Sequence, residues 1–139
     1  MRRRPAEAGS AVVEFVVLAV VVMVPLVYAV LVIMKVHAAT YAVVTAAREA
    51  GRAYVTADST SAAAARARVA ARLALADHGI AEPRLGVTCL EGACLSPGSL
   101  VRVEVKTDVT IPLLPYGDGR AVIPVSAVHD ARVDTYRRS

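Results

Sequence analysis

The sequence has no tryptophan, one phenylalanine and five tyrosines, so aromatics are only 4% of its 139 residues. It has no basic patch interleaved with aromatic rings, and nucleic acid is not an expected partner. Cysteine is scarce: Cys89 and Cys94 are the whole supply. Two thiols do not make a metal site, and His78 and His129 have no ligand-like spacing to them. No Ser/His/Asp set and no phosphate-binding glycine loop stands out. An enzyme is not expected, nor is a cofactor. No internal repeat is visible, and no low-complexity tract beyond an alanine-rich stretch.

Charge is missing from one long segment. Phe15 to Met34 is a run of 20 residues without a charged side chain. At about 1.5 Å per helical residue, that run covers a hydrocarbon core of about 30 Å. Arg2, Arg3 and Arg4 precede it, and Lys35 alone follows it directly. This bias sets the N-terminus in the cytoplasm and the bulk of the chain outside, as a single-pass cell-membrane protein. The formal net charge is +4, but residues 36–139 carry twelve basic against ten acidic side chains. The excess comes largely from the two ends, Arg2–Arg4 and Arg137–Arg138. Outside the cytoplasm Cys89 and Cys94, which enclose four residues in "CLEGAC", can oxidise to a local disulfide. Two unrelated buried thiols are the alternative.

The texture along the chain predicts an α+β fold. Residues 1–9 form a basic leader, and residues 10–57 one long helix whose membrane part covers about 11–34. "KVHAATYAVVTAAREAGRAYVTA" has few breakers, and Pro25 inside the span tends to kink it. Residues 58–139 form the outer part. Asp58, Ser59 and Thr60 are candidate N-caps for a second helix that ends at Gly79. Ala62, Ala65, Val69, Leu73 and Ala76 recur at helical spacing as one apolar stripe, with Arg66 and Arg72 flanking it and Arg68 farther round. Three β-rich runs follow: "RLGVTCL", "SLVRVEVKTDVTI" and "AVIPVSAVHDARVDTY". In the second, Val101, Val103 and Val105 alternate with Arg102, Glu104 and Lys106. "PYGDGR" reads as a turn. An antiparallel sheet of about three strands with one wet face is expected.

Within the apolar zone sits one acid, Glu14, five residues after Gly9. Three ordinary roles are available to it. It can answer the helix macrodipole, snorkel at the membrane edge, or serve as N3 of a capping box. The last needs the acid three positions after the cap, and Glu14 is four positions after Ser10. An acid inside a bilayer costs up to about 3 kcal/mol at the centre and less near an end, and usually has a partner. A cut after Gly9 supplies one. Ser10 then carries a positive α-amino group one helical turn from Glu14, and the acid can pair with that amine or with a neighbour's. A pairing between chains sets axial register, as polar groups do in other helix assemblies.

Basic leader, Gly9, Glu14 and the long apolar helix together resemble a type IV prepilin. In detail, "AGSAVVEFVVLAVVVMVPLVYAVL" resembles the opening of the TadE-like family, the minor pseudopilins of Tad (Flp) pilus systems, including Pro25. "AAREAGRAYVTA", residues 46–57, resembles the segment that follows the membrane helix in that family. The two segments cover about the first 57 residues. The rest is loosely similar to the short C-terminal β regions of actinobacterial members. The resemblance implies a membrane prepilin peptidase cutting between Gly9 and Ser10, with Glu14 serving recognition and then register. It also implies other pilin or pseudopilin subunits as partners and, indirectly, the Tad secretion platform and ATPase. Arg48, Glu49, Gly51 and Arg52 match the second segment. Read without the family, the three charges among them are a solvated helix face. The leader departs from the pattern in carrying Glu7 and in having its arginines offset toward its start.

Other readings compete. One is a single-pass anchored protein with an extracytoplasmic binding domain and no processing. Another is a secreted protein cut after Ala38, for which the apolar core is long and Lys35 awkward. Among the remaining polar side chains, His37 sits just outside the span and His78 near a helix C-terminus. His129 beside Asp130 reads as a surface histidine rather than half of a catalytic pair. Tyr28 reads as a helix–helix contact.

Overall fold

A computed structural model describes residues 8–80, 82–112 and 119–136, with side chains described from residue 11 onward. Residues 1–7 of the basic leader and residues 115–118 of the expected "PYGDGR" turn lie outside the described residues. The elements run α1 (Ala8–Val55), α2 (Thr60–Ala76), β1 (Arg84–Cys89), β2 (Leu100–Pro112) and β3 (Arg120–Arg132). This is the expected α+β order: a long apolar helix, a second helix and a three-stranded antiparallel sheet in the order β1-β2-β3.

The chain divides into two compact units, residues 1–35 and 36–139. The division falls inside α1, and physical chemistry explains it. From Ala11 to Met34 the helix is apolar all round except at Glu14. From Val36 it becomes amphipathic, burying Ala39, Ala42, Val43, Ala46, Ala47, Ala50 and Tyr54. These fall three or four residues apart, the spacing of one helix face. α1 runs through Pro25 without a break. Thr56 closes its far end by donating its hydroxyl to the Arg52 carbonyl at 2.9 Å.

In α2, Ser59 is the cap that the sequence left open among three candidates. It has an extended backbone, and its hydroxyl accepts from the Ala62 N–H at 3.3 Å. At the other end Gly79 adopts a left-handed conformation, φ +70°, and the Ile80 N–H reaches back to the Leu75 carbonyl at 3.0 Å. The following chain is thereby turned away from the helix.

β2 is the central strand, and the alternation read from its sequence is its burial pattern. Val101, Val103 and Val105 are fully buried, whereas Arg102 and Lys106 are exposed. Each buried valine removes apolar surface worth about 1.5–3 kcal/mol from water. β3 stops at Arg132, short of Tyr136 where the third β-rich run ends. Asp134 accepts the Tyr136 N–H at 2.9 Å and turns the chain out of the sheet.

Both helices of the second unit cover the same sheet face. A Cβ placed on Gly51 of α1 would lie 3.0 Å from the His129 ring, 3.3 Å from Ala131 and 3.9 Å from Val103. Leu85 of β1 lines a cleft with Ala71 of α2, and Leu85 stands opposite Val105 in the ladder. Val103 and Val105 point to one side, two residues apart. The opposite face is wet and carries ion pairs.

The second helix buries a different face from its conspicuous stripe. Ala63, Ala67, Ala71 and Leu75 are buried. Val69 and Leu73 of the expected stripe are 57% and 65% exposed. With alanine on both sides of the helix, periodicity marks two candidate faces, and the packed one carries the smaller side chains.

Gly51 gives a direct test of the helix–sheet contact. Overpacking costs roughly 1–3 kcal/mol, and replacing a helical glycine with alanine recovers up to about 1 kcal/mol of helix propensity. Thermal unfolding of the full chain in detergent should therefore show Gly51→Ala close to wild type and Gly51→Leu destabilised by roughly 3 kcal/mol. A Gly51→Leu protein as stable as wild type would mean that α1 does not rest there.

Candidate functional site

Glu14 is the seventh residue of α1, beyond the first turn, which contains no acid. The macrodipole effect fades within the first turn and so does not account for this carboxylate. With the helix starting at Ala8, Ser10 is not its cap either, and a capping box is excluded. Glu14 is exposed, in a shallow groove lined by Val13, Val17, Leu18 and Val21. Every residue from 11 to 27 is exposed, and apart from Glu14 all are apolar or alanine or proline. Gly9 and Ser10 are helical in backbone, so α1 passes through the bond between them. Among the described residues, Ala11–Val55 is the one helix long and apolar enough to cross a membrane, and none of its most apolar window is buried.

The second segment separates into two kinds of residue. Arg48, Glu49 and Arg52 are exposed on α1, and among the described residues no ion pair joins them. Gly51 is buried beneath the same helix turn, against His129 and Ala131. The glycine thus has a packing role that sequence alone did not supply. Its signal, a glycine inside an otherwise glycine-poor helix, was present but had no partner to interpret it. The structure does not bring these four residues together with Glu14 in one unit.

His129 is half-buried under α1 rather than a surface histidine. It and Asp130 are adjacent in β3, so their side chains leave opposite sheet faces and form no catalytic pair. Asp130 belongs to Arg102, directly opposite in the ladder. The guanidinium donates from Nε and Nη2 to the two carboxylate oxygens, each at 2.7 Å. Hydrogen bonding from Arg102, aided by its charge and opposed by desolvation, holds the Asp130 carboxyl below its ordinary value. The same hydrogen bond raises Arg102. Arg84–Asp108 at 2.8 Å and Lys106–Glu104 at 2.9 Å share this wet face. Exposed pairs of this kind contribute little stability each.

Cys89 and Cys94 are joined as a disulfide, with their Cα atoms 5.0 Å apart. The bridge closes the loop after β1, and Leu90 donates its N–H to the Leu100 carbonyl at 2.9 Å, continuing the ladder past the bridge. His37 and His78 are exposed. The Tyr28 hydroxyl is buried without a hydrogen-bond partner. Among the described residues no three His, Cys, Asp or Glu side chains group closely enough to hold a metal. No family model, curated protein or solved structure matches this chain.

The Arg102–Asp130 pair has a pH signature. A carboxyl with a depressed folded pKa contributes stability that is present above its unfolded value and is lost as pH falls through the folded value. Carbon-13 carboxyl shifts should give Asp130 a midpoint below 3.8, its ordinary value. In Arg102→Ala the midpoint should rise. An unchanged midpoint in that variant would assign the depression to something other than the guanidinium.

Proposed function

We propose that this chain is a minor, pilin-like subunit of the TadE-like type, held in the cell membrane by the apolar half of α1. Its leader is removed between Gly9 and Ser10 by a prepilin peptidase. The observation that carries this reading is residues 11–27: uniformly exposed, apolar all round, and interrupted once, by Glu14. A helix surface of that kind is at home in lipid or among other apolar helices, not in water. The three arginines of the leader against the single Lys35 favour a cytoplasmic N-terminus and an outer body at residues 36–139.

Within that setting Glu14 has work that a plain anchor would not give it. Ser10 and Glu14 are four residues apart, so a free α-amino group on Ser10 lies on the same helix face one turn away. The amine compensates the carboxylate in its own chain or in a neighbour. Pairing with a neighbour fixes the axial register of packed helices, and a register off by one turn leaves an unpaired charge in oil. Because α1 is helical through the Gly9–Ser10 bond, cutting requires its first turn to open, which helix ends do readily. The two-layer body then stands outside the membrane, where it begins the filament or shapes its assembly alongside other pilin or pseudopilin subunits.

Co-expression of the full chain with a prepilin peptidase, followed by intact-mass measurement, tests this directly. The expected product begins at Ser10, and Gly9→Ala remains uncut. A product retaining Arg2–Arg4, with Glu14→Gln harmless to assembly, would leave the single-pass anchor. A product beginning at Ala39 would make the chain a secreted protein.

A further inference from the structure

α2 is apolar on two opposite faces, and its own fold uses one. At about 100° per residue, Ala63, Ala67, Ala71 and Leu75 lie on the side turned into the body. Ala62, Ala65, Val69, Leu73 and Ala76 lie on the opposite side. Val69 and Leu73 there are among the most exposed large apolar side chains outside α1's apolar half. The stripe continues past the helix into a hollow lined by Leu73, Ala76, Gly79 and Ile80.

Along the helix its rim is basic, with the exposed acids Asp58 and Asp77 just beyond the two helix ends. Arg66 borders one edge of the stripe, and Arg72 and Arg68 border the other. From Thr60 to Ala76 the helix contains no acid. Among the described residues the one ion pair on this rim is Arg66 with Asp58, at 3.7 Å and with the aspartate 91% exposed. That arrangement selects among occupants. A second copy docking by the same face would set arginine rim against arginine rim, whichever way the two helices ran, and like charges so placed repel. A lipid surface wants large apolar side chains to insert. This stripe offers only Val69 and Leu73 among alanines, and the helix cannot roll, because its other face is committed to the sheet. Two adjacent large residues with alanines before and after them along the stripe instead suit the close approach of another helix, whose ridge fits the gaps.

We propose that the outward face of α2 is a docking site for an amphipathic helix of a different protein, with an apolar stripe flanked by carboxylates. The site is separate from the apolar half of α1 and does not depend on leader removal.

The test uses the full chain in nanodiscs of neutral lipid and two fluorescent helical peptides. Both carry the same alanine–leucine stripe, flanked by glutamate in one and by lysine in the other. The glutamate peptide should bind at least about tenfold more tightly, a difference of about 1.4 kcal/mol. Leu73→Glu should abolish binding, and Arg72→Glu should reverse the preference between peptides. Both side chains are exposed, so unchanged thermal unfolding confirms that these variants fold. Equal binding of the two peptides, or an indifferent Leu73→Glu, would overturn the proposal. A Leu73→Cys protein that cross-links to itself more readily than to the glutamate peptide would assign the face to a second copy. Quenching of a fluorophore at Leu73→Cys by brominated phosphatidylglycerol would assign it to lipid.

Discussion

One helix in this protein changes its surface partway along, and everything else follows from where the change occurs. From Ala11 to Met34, α1 presents apolar side chains in every direction except at Glu14, and none of its most apolar window is buried. From Val36 it keeps one apolar face and buries it. The first half is rich in valine, which lowers helix propensity in water. Lipid would remove the competition, because a backbone without water must satisfy its own hydrogen bonds, and helix is the way to do so. The second half has cover of its own, with the sheet against Gly51.

Close packing makes that cover possible. The buried face of α1 is mostly alanine, with Gly51 where His129 and Ala131 approach, and the buried face of α2 is alanine with Leu75. Small side chains line the buried faces of both helices, and the buried valines of β2 lie on the covered side of the sheet. With so few aromatics, the body gains its stability from many short contacts instead of a few large ones. Its wet face adds cross-strand ion pairs, of which Arg102–Asp130 is the most completely formed.

The parts legible in the sequence are those set by local rules. Alternation of Val101, Val103 and Val105 with charged neighbours identified the second strand and its wet face. The cluster Asp58, Ser59 and Thr60 and, at the other end, Gly79 marked the limits of α2, and the length of the uncharged run marked the apolar half of α1. What was not legible depended on a partner element. Which side of α2 packs could not be read from a helix with alanine on both sides. The place of Gly51 became interpretable only with β3 beneath it, and the burial of His129 likewise. The end of β3 turned on Asp134 capturing a backbone N–H. The isolated acid at Glu14 was visible from the start. Its position beyond the first helical turn, which removes the macrodipole and the capping box as reasons for it, needed the observed start of α1.

Glu14 therefore stands as an acid in an apolar zone that neither the macrodipole nor a capping box explains, and we propose that it answers a chain end made by cutting. Solid-state NMR on assembled, membrane-embedded protein measures that pairing directly, through the dipolar coupling between the Glu14 carboxyl carbon and the Ser10 α-nitrogen. The account predicts a strong coupling, from nitrogen and carboxylate oxygen within about 4 Å of each other in an ion pair. A Ser10 nitrogen still in a peptide bond, together with a protonated Glu14, would contradict it.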